Sequence, residues 1–254
     1  MAKFSLVRLS GGFVMKNRQA IQERRRRRKQ QQRITMVFVI SGAALIIAAI
    51  LMLPTITAAL TPVGEFVQPS LNPRPMANAN TMGDPNAPVV IEEFSDFGCS
   101  HCADFATGTG ELITQNYVAT GQVYFIYHSA GSILGHPNTP VAAEAAYCAG
   151  DQNKFWEYHD IVFANQAALF ANLYANISNT LAAYGEALGL DMKAFNACMD
   201  SGKYSDQVQQ DEVNARQAGI NKTPTFLING TYFENQPYES FKTAIEAAMT
   251  TASQ

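Results

Sequence analysis

Ile34 to Leu53 is a run of 20 residues without a charged side chain, rich in Ile, Leu, Val and Ala. At about 1.5 Å per residue, a helix of that length crosses the roughly 30 Å of hydrocarbon in a bilayer. The alternative, a buried core helix, needs an apolar surround that the flanking residues do not offer. Residues 1–33 carry eleven basic side chains, among them Arg24 to Arg28, against Glu23 alone. The rest of the chain carries seven basic and twenty acidic ones, a contrast hidden by the net charge of −3. A basic arm can serve nucleic acid, but one that abuts an apolar run reads as the cytoplasmic flank of a membrane span. The expected arrangement is a basic tail over 1–33, an uncleaved transmembrane signal-anchor over 34–53, and everything after it outside the cell membrane. A cleaved signal peptide is the rival. The basic region is long for one, and no small-x-small site follows Pro54.

Residues 61–87 hold Pro62, Pro69, Pro73, Pro75 and Pro85 among Gly, Asn and Ser, the composition of a semi-rigid tether. A linker is therefore expected over 54–81 and a globular domain over 82–254. Val89 to Phe94 and Val123 to Tyr127 read as strands, the second rich in β-branched and aromatic residues. The helical segment 101–118 between them suits a β-α-β crossover and a parallel pair, although Gly108 and Gly110 weaken it. Thr139-Pro140 forms an N-cap and N1 pair, and helical patterns follow at 141–149, around Phe155 to Phe163, and at 178–188, 191–200 and 204–218. Thr225 to Ile228, Asn229-Gly230 and Tyr232-Phe233 make a hairpin, and 238–251 a closing helix. The order is β-α-β, a helical insertion over about 137–218, then β-β-α.

Four cysteines lie beyond the apolar run, at 99, 102, 148 and 198, a distribution suited to an oxidising compartment. Cys99-Ser100-His101-Cys102 follows the first strand and opens a helix. There the macrodipole and free N–H groups favour a thiolate at Cys99, with Cys102 one turn further along the same face. The pattern predicts thiol–disulfide exchange. Half a zinc site would need a second Cys/His pair at metal spacing, and none exists, so no metal or cofactor is expected. His101 is placed to stabilise the thiolate further, which would make the disulfide more oxidising. Pro224, heading a strand, belongs at an edge or a special turn. A cis Thr223–Pro224 bond would bring the Thr223 backbone beside the thiols, whereas an ordinary trans proline would only open the strand. Glu93 lies in a strand that otherwise reads as buried, where a raised pKa suits a proton acceptor; Glu92 and Glu93 straddling a solvated strand end is the alternative. Cys148 and Cys198 are either bonded or two buried thiols. His128, His136 and His159 have no evident partners, and the glycosylation patterns at Asn176, Asn221 and Asn229 read as chance matches.

Taken together, Glu93-Phe94-Ser95-Asp96-Phe97, the cysteine pair, Ala145-Ala146-Tyr147-Cys148, Lys154 to Asp160 and Thr223-Pro224-Thr225-Phe226-Leu227-Ile228-Asn229-Gly230 resemble the DsbA-like branch of the thioredoxin superfamily, over roughly residues 82–250. The resemblance implies an α/β thioredoxin fold with an inserted helical subdomain. It implies an extracytoplasmic thiol–disulfide oxidoreductase in which Cys99 attacks, Cys102 resolves, Glu93 assists proton transfer and Thr223 with cis Pro224 contacts substrate. It also implies a structural Cys148–Cys198 disulfide, exported proteins with cysteines as substrates, and a membrane redox partner that recycles the pair in a bacterial setting. Ser100 stands where the best-known oxidases of the branch have proline, so the oxidase, the reductase or isomerase, and a redox-inert binding module all remain readings of this sequence.

Overall fold

The computed structural model describes residues 11–60, 63–172 and 176–252. The chain divides into two compact units, residues 1–61 and 62–254. In the first, α1 (Gly11–Leu60) is one continuous helix, and its stretch Arg24–Leu51 is long and apolar enough to cross a membrane. Phe38, Leu45 and Leu51 there are 70–72% exposed, a surface that is stable only against lipid or another protein. The expected span 34–53 lies within this helix. The helix does not stop at the expected linker: it continues through Pro54 to Leu60. Residues 1–10 of the expected basic tail and 253–254 at the chain end lie outside the described residues.

The second unit is built on five strands, β1 (Thr81–Met82), β2 (Val89–Ser95), β3 (Val123–Ser129), β4 (Thr225–Ile228) and β5 (Thr231–Glu234), in the order β1-β3-β2-β4-β5. β2 runs parallel to β3, as the crossover predicts, and antiparallel to β4. Strands buried on both faces need apolar side chains throughout. Val89, Ile91 and Phe94 of β2 are at most 3% exposed, and Glu93 among them is 1% exposed. The hairpin turn has the positive φ at both Asn229 and Gly230 that a type I′ turn requires. The Asn229 side chain also accepts from Val90 N at 2.7 Å and donates to Pro88 O at 3.2 Å, which ties the turn to the start of β2.

Between β2 and β3 the expected helix 101–118 is interrupted. α2 (Ser100–Thr107) ends at Gly108, whose φ of −127° and ψ of −94° leave the helical region, and α3 (Thr109–Ile113) and a π-helical turn (Thr114–Val118) complete the crossover. The insertion contributes α4 (Thr139–Gly150), α5 (Phe155–Ala164), a short α6 (Gln166–Leu169), α7 (Ser178–Ala187), α8 (Met192–Ser201) and α9 (Ser205–Gln217). Asn138 holds the N-cap position of α4, one residue before the expected Thr139, without a side-chain cap hydrogen bond. Asp191 caps α8 by accepting from Lys193 N and Ala194 N. Cys148 on α4 is bonded to Cys198 on α8. α10 (Tyr238–Ala252) closes the chain, with Phe241 and Ile245 in the core.

The expected domain boundary at residue 82 moves to residue 62 in this structure, because the proline-rich segment is packed rather than free. Phe66 meets Tyr184 edge-on with ring centroids 4.9 Å apart. Val67 exchanges two 2.7 Å hydrogen bonds with the Asn165 side chain. Arg74 donates to both carboxylate oxygens of Asp160 at 2.7 Å and lies over the Trp156 ring. Prolines held φ near the extended region, and apolar and charged side chains between them supplied the anchors.

Candidate active site

Sheet register explains where the reactive groups meet. Because β2 and β4 are antiparallel, with Phe94 opposite Thr225, the turn leaving β2 lies beside the turn entering β4. The first carries Cys99 and the second carries the cis Thr223–Pro224 bond. Cys99 Sγ accordingly lies 3.4 Å from the Thr223 carbonyl oxygen, to which the thiol donates. Both cysteines are free and buried, Cys99 at 7% exposure and Cys102 at 0%.

Cys99 is the N-cap residue of α2, in extended conformation and without a side-chain cap hydrogen bond, so its sulfur lies at the end of the helix where the first N–H groups are unpaired. Its pKa is lowered from 9.0 to about 5. A hydrogen bond from the Cys102 thiol is the largest cause, burial opposes it, and Thr223 and the backbone N–H groups of Cys102 and His101 add to it. Cys102 goes the other way: burial and then the Cys99 thiolate push it well above the ordinary thiol range. The pair is therefore split into one thiolate and one thiol.

The His101 backbone N–H lowers the Cys99 pKa, while its side chain is 76% exposed, with Asp104 at 3.9 Å. Cys99 and Cys102, three apart, take the inward face of the helix.

Glu93 is where the sequence placed it, inside the sheet. Burial raises its pKa from 4.5 to about 8, and the Ser95 hydroxyl and the Arg74 charge only partly offset this. It interacts electrostatically with Cys102. Cys148 and Cys198 lie apart from this centre, on the helical insertion.

Four further residues hold the reactive turn, Asp96, Gly98, His136 and Gln166, and the sequence assigned a role to none of them. Asp96 is buried, accepts from Gly98 N at 2.7 Å and pairs with His136 Nδ1, while its own backbone N–H donates to Cys102 Sγ at 3.4 Å. Gln166 donates to the carbonyls of Phe97 and Cys99, both at 2.7 Å. A Cβ on Gly98 would stand 2.7 Å from His136 Nδ1 and 2.8 Å from Thr139 Cγ2, so glycine is required for the insertion to close on the turn. The Asp-x-Gly-Cys spacing was the one available signal. His136 and Gln166 come from 38 and more residues away, beyond any local pattern.

A groove of about 360 Å³ opens beside the cysteines, lined by His101, Lys222, Thr223, Pro224, Glu234 and Asn235. Among the described residues no cluster of His, Cys, Asp and Glu has the arrangement of a metal site. The arrangement can open and close a disulfide, with the attacking or leaving thiolate at Cys99.

A thioredoxin family model matches residues 77–247. The oxidised BdbD of Bacillus subtilis has the same fold, with a TM-score of 0.60 and 21% identity over 70% of this chain and 96% of that one. The alpha-DsbA1 of Wolbachia pipientis is similar at a TM-score of 0.61 and 23% identity, over 70% and 94%. A Na(+)/H(+) antiporter NhaA of Salinispora arenicola is 30% identical over 195 residues, which is 76% of this chain and 28% of the antiporter. This chain thus spans little more than a quarter of that relative's length.

Proposed function

The chain belongs to the thioredoxin family, with a DsbA-like fold, and from that premise we propose that it is a membrane-anchored oxidase of protein thiols that works on the outer side of the membrane. The observation that carries this reading is the placement of the pair, with Cys99 at the start of α2 beside Thr223, which lowers its pKa to about 5, and Cys102 wholly buried, which raises its pKa. A stabilised thiolate favours the reduced pair, and so favours handing the disulfide to a substrate.

In the proposed cycle a substrate thiolate attacks Cys99 Sγ of the Cys99–Cys102 disulfide. Cys102 leaves as a thiolate and, because it is buried, takes a proton from Glu93. The second substrate thiolate then attacks the substrate sulfur of the mixed disulfide and releases Cys99 as its stable thiolate. Two electrons pass from substrate to the cysteine pair. A membrane redox partner would take them up to restore the disulfide. Exported proteins with cysteines are the proposed substrates, received in the groove beside Thr223 and Pro224. The apolar stretch of α1 would be the anchor, with its basic end in the cytoplasm.

The test is the reduction potential of the Cys99–Cys102 pair, set against glutathione in the full chain in detergent. A value well above the roughly −270 mV of thioredoxin supports the oxidase; a value near it supports a reductase. Cys99→Ser should abolish exchange. Retention of every activity by that variant would leave only a binding module.

A further inference from the structure

Glu93 can serve the buried thiol only if its proton reaches solvent, yet it is 1% exposed and is walled by apolar side chains. Three buried polar atoms among the described residues have no hydrogen-bond partner and belong to residues lining one small cavity: Glu93 Oε1, His159 Nε2 and Arg74 Nε. The cavity measures about 10 Å³, close to the volume that one water molecule needs. Its other walls, including Phe105, Phe125 and Trp156, are apolar. Three unpaired polar atoms around a space of this size match the two to four partners of a typical buried water.

On the far side of the imidazole, His159 Nδ1 lies 2.9 Å from Asp160 Oδ1, and Arg74 holds both oxygens of that carboxylate. The carboxylate fixes the tautomer with hydrogen on Nδ1, which leaves a lone pair on Nε2 for the cavity. A second cavity, of about 80 Å³, shares Arg74 and Ala106 with the first and reaches Asp160 and the exposed Ser70 and Thr107.

We propose that His159, oriented by Asp160 and Arg74, is the positioning and proton-relay residue that joins the Glu93 carboxyl to solvent through one bridging water. This rests on the thiol–disulfide reading above. When the disulfide is re-formed, Cys102 must lose its proton, which passes to the Glu93 carboxylate. The Glu93 proton moves through the water to His159 Nε2, and the Nδ1 proton leaves to Asp160 and the outer cavity. The ring then exchanges tautomers and the groups return to their starting state. Opening of the disulfide runs the relay backwards. Burial keeps His159 neutral by lowering its pKa, the state the relay needs at neutral pH. The groups that face this route are Ser95 on β2, Tyr127 on β3, Cys102 on α2, Arg74 ahead of β1, and Asp160 on the helix of His159 itself.

The experiment measures, in the full chain in detergent, the stopped-flow rate of disulfide transfer to a two-cysteine peptide against pH, in H₂O and D₂O, for wild type, His159→Gln and Ala106→Val. Ala106→Val narrows the wall between the cavities and leaves every titrating group in place, so it decides the matter if His159→Gln does not fold. The relay predicts that both variants slow transfer by roughly ten-fold, with a larger solvent isotope effect, while the reduction potential and the Cys99 titration stay at wild-type values. Wild-type rates in the folded variants overturn it. So does a loss of rate matched by a shifted potential, which marks a structural role. Absence of transfer in the wild type would instead overturn the oxidoreductase reading itself.

Discussion

Two residues of the pair Cys99–Cys102 have the same chemistry and opposite fates, and the difference is position. Cys99 sits at a helix start, where the Cys102 thiol, Thr223 and the first backbone N–H groups lower its pKa; Cys102 is sealed at 0% exposure. Thiolate absorbance should therefore rise with a midpoint near pH 5 in the reduced protein. Cys102→Ala, which removes the largest stabilising hydrogen bond, should move that midpoint upward. His101→Ala should leave it nearly in place, because the imidazole is turned to solvent; a large upward shift in that variant would return the side chain to the mechanism. Glu93 makes a prediction with the opposite sign. Its folded pKa of about 8 lies above the unfolded 4.5, so the folded state binds the extra proton between those values. Stability is then lost as pH rises from 4.5 to 8, by a few kcal/mol at most. Denaturant unfolding of wild type and Glu93→Gln across pH 5 to 8 should show the variant gaining relative stability towards alkaline pH. Parallel curves would mean that Glu93 titrates normally.

At the scale of elements, the helical insertion is attached to the reactive turn at Asp96–His136 and at Gln166, and is braced within itself by Cys148–Cys198. The disulfide joins α4 to α8 across a sequence separation of 50. On the chain-entropy account a loop of this size contributes about 4 kcal/mol, acting on the unfolded chain rather than on the cysteine pair. A Cys148→Ser/Cys198→Ser double variant should melt at a clearly lower temperature and keep its exchange rate below that temperature. A fall in rate at unchanged stability would show instead that the brace reaches the active site. Native alkylation followed by mass spectrometry gives a second check, since only Cys99 and Cys102 should react after mild reduction.

For the whole molecule, the decisive feature is where the globular unit begins. A fragment starting at residue 62 should be soluble without detergent and support disulfide transfer, since residues 62–254 form a compact unit of their own. One starting at residue 82 should be much less stable, because it removes Phe66, Val67 and Arg74 and leaves Asp160 without its guanidinium; breaking a buried pair of this kind costs about 3–5 kcal/mol. Equal melting temperatures for the two fragments would restore the tether reading. The sequence by itself determined the features whose signal is local. These are the apolar run within α1, the short apolar and aromatic runs that made β2, β3 and β4, the Asn229-Gly230 turn, the cysteine pair at a helix start and Glu93 inside a strand. A 20-residue stretch, a run of four to seven residues or a four-residue spacing is enough to specify each of them. Only the tertiary structure decided which groups converge from far apart. It brought Thr223 to Cys99 through strand register, Gln166 and His136 to the turn, and Arg74 to Asp160 and the Glu93 cavity. It also showed that a proline-rich segment is packed and that the His101 ring faces water. Those outcomes depend on which faces of distant elements are buried against each other, and no window of sequence contains both partners of such a contact.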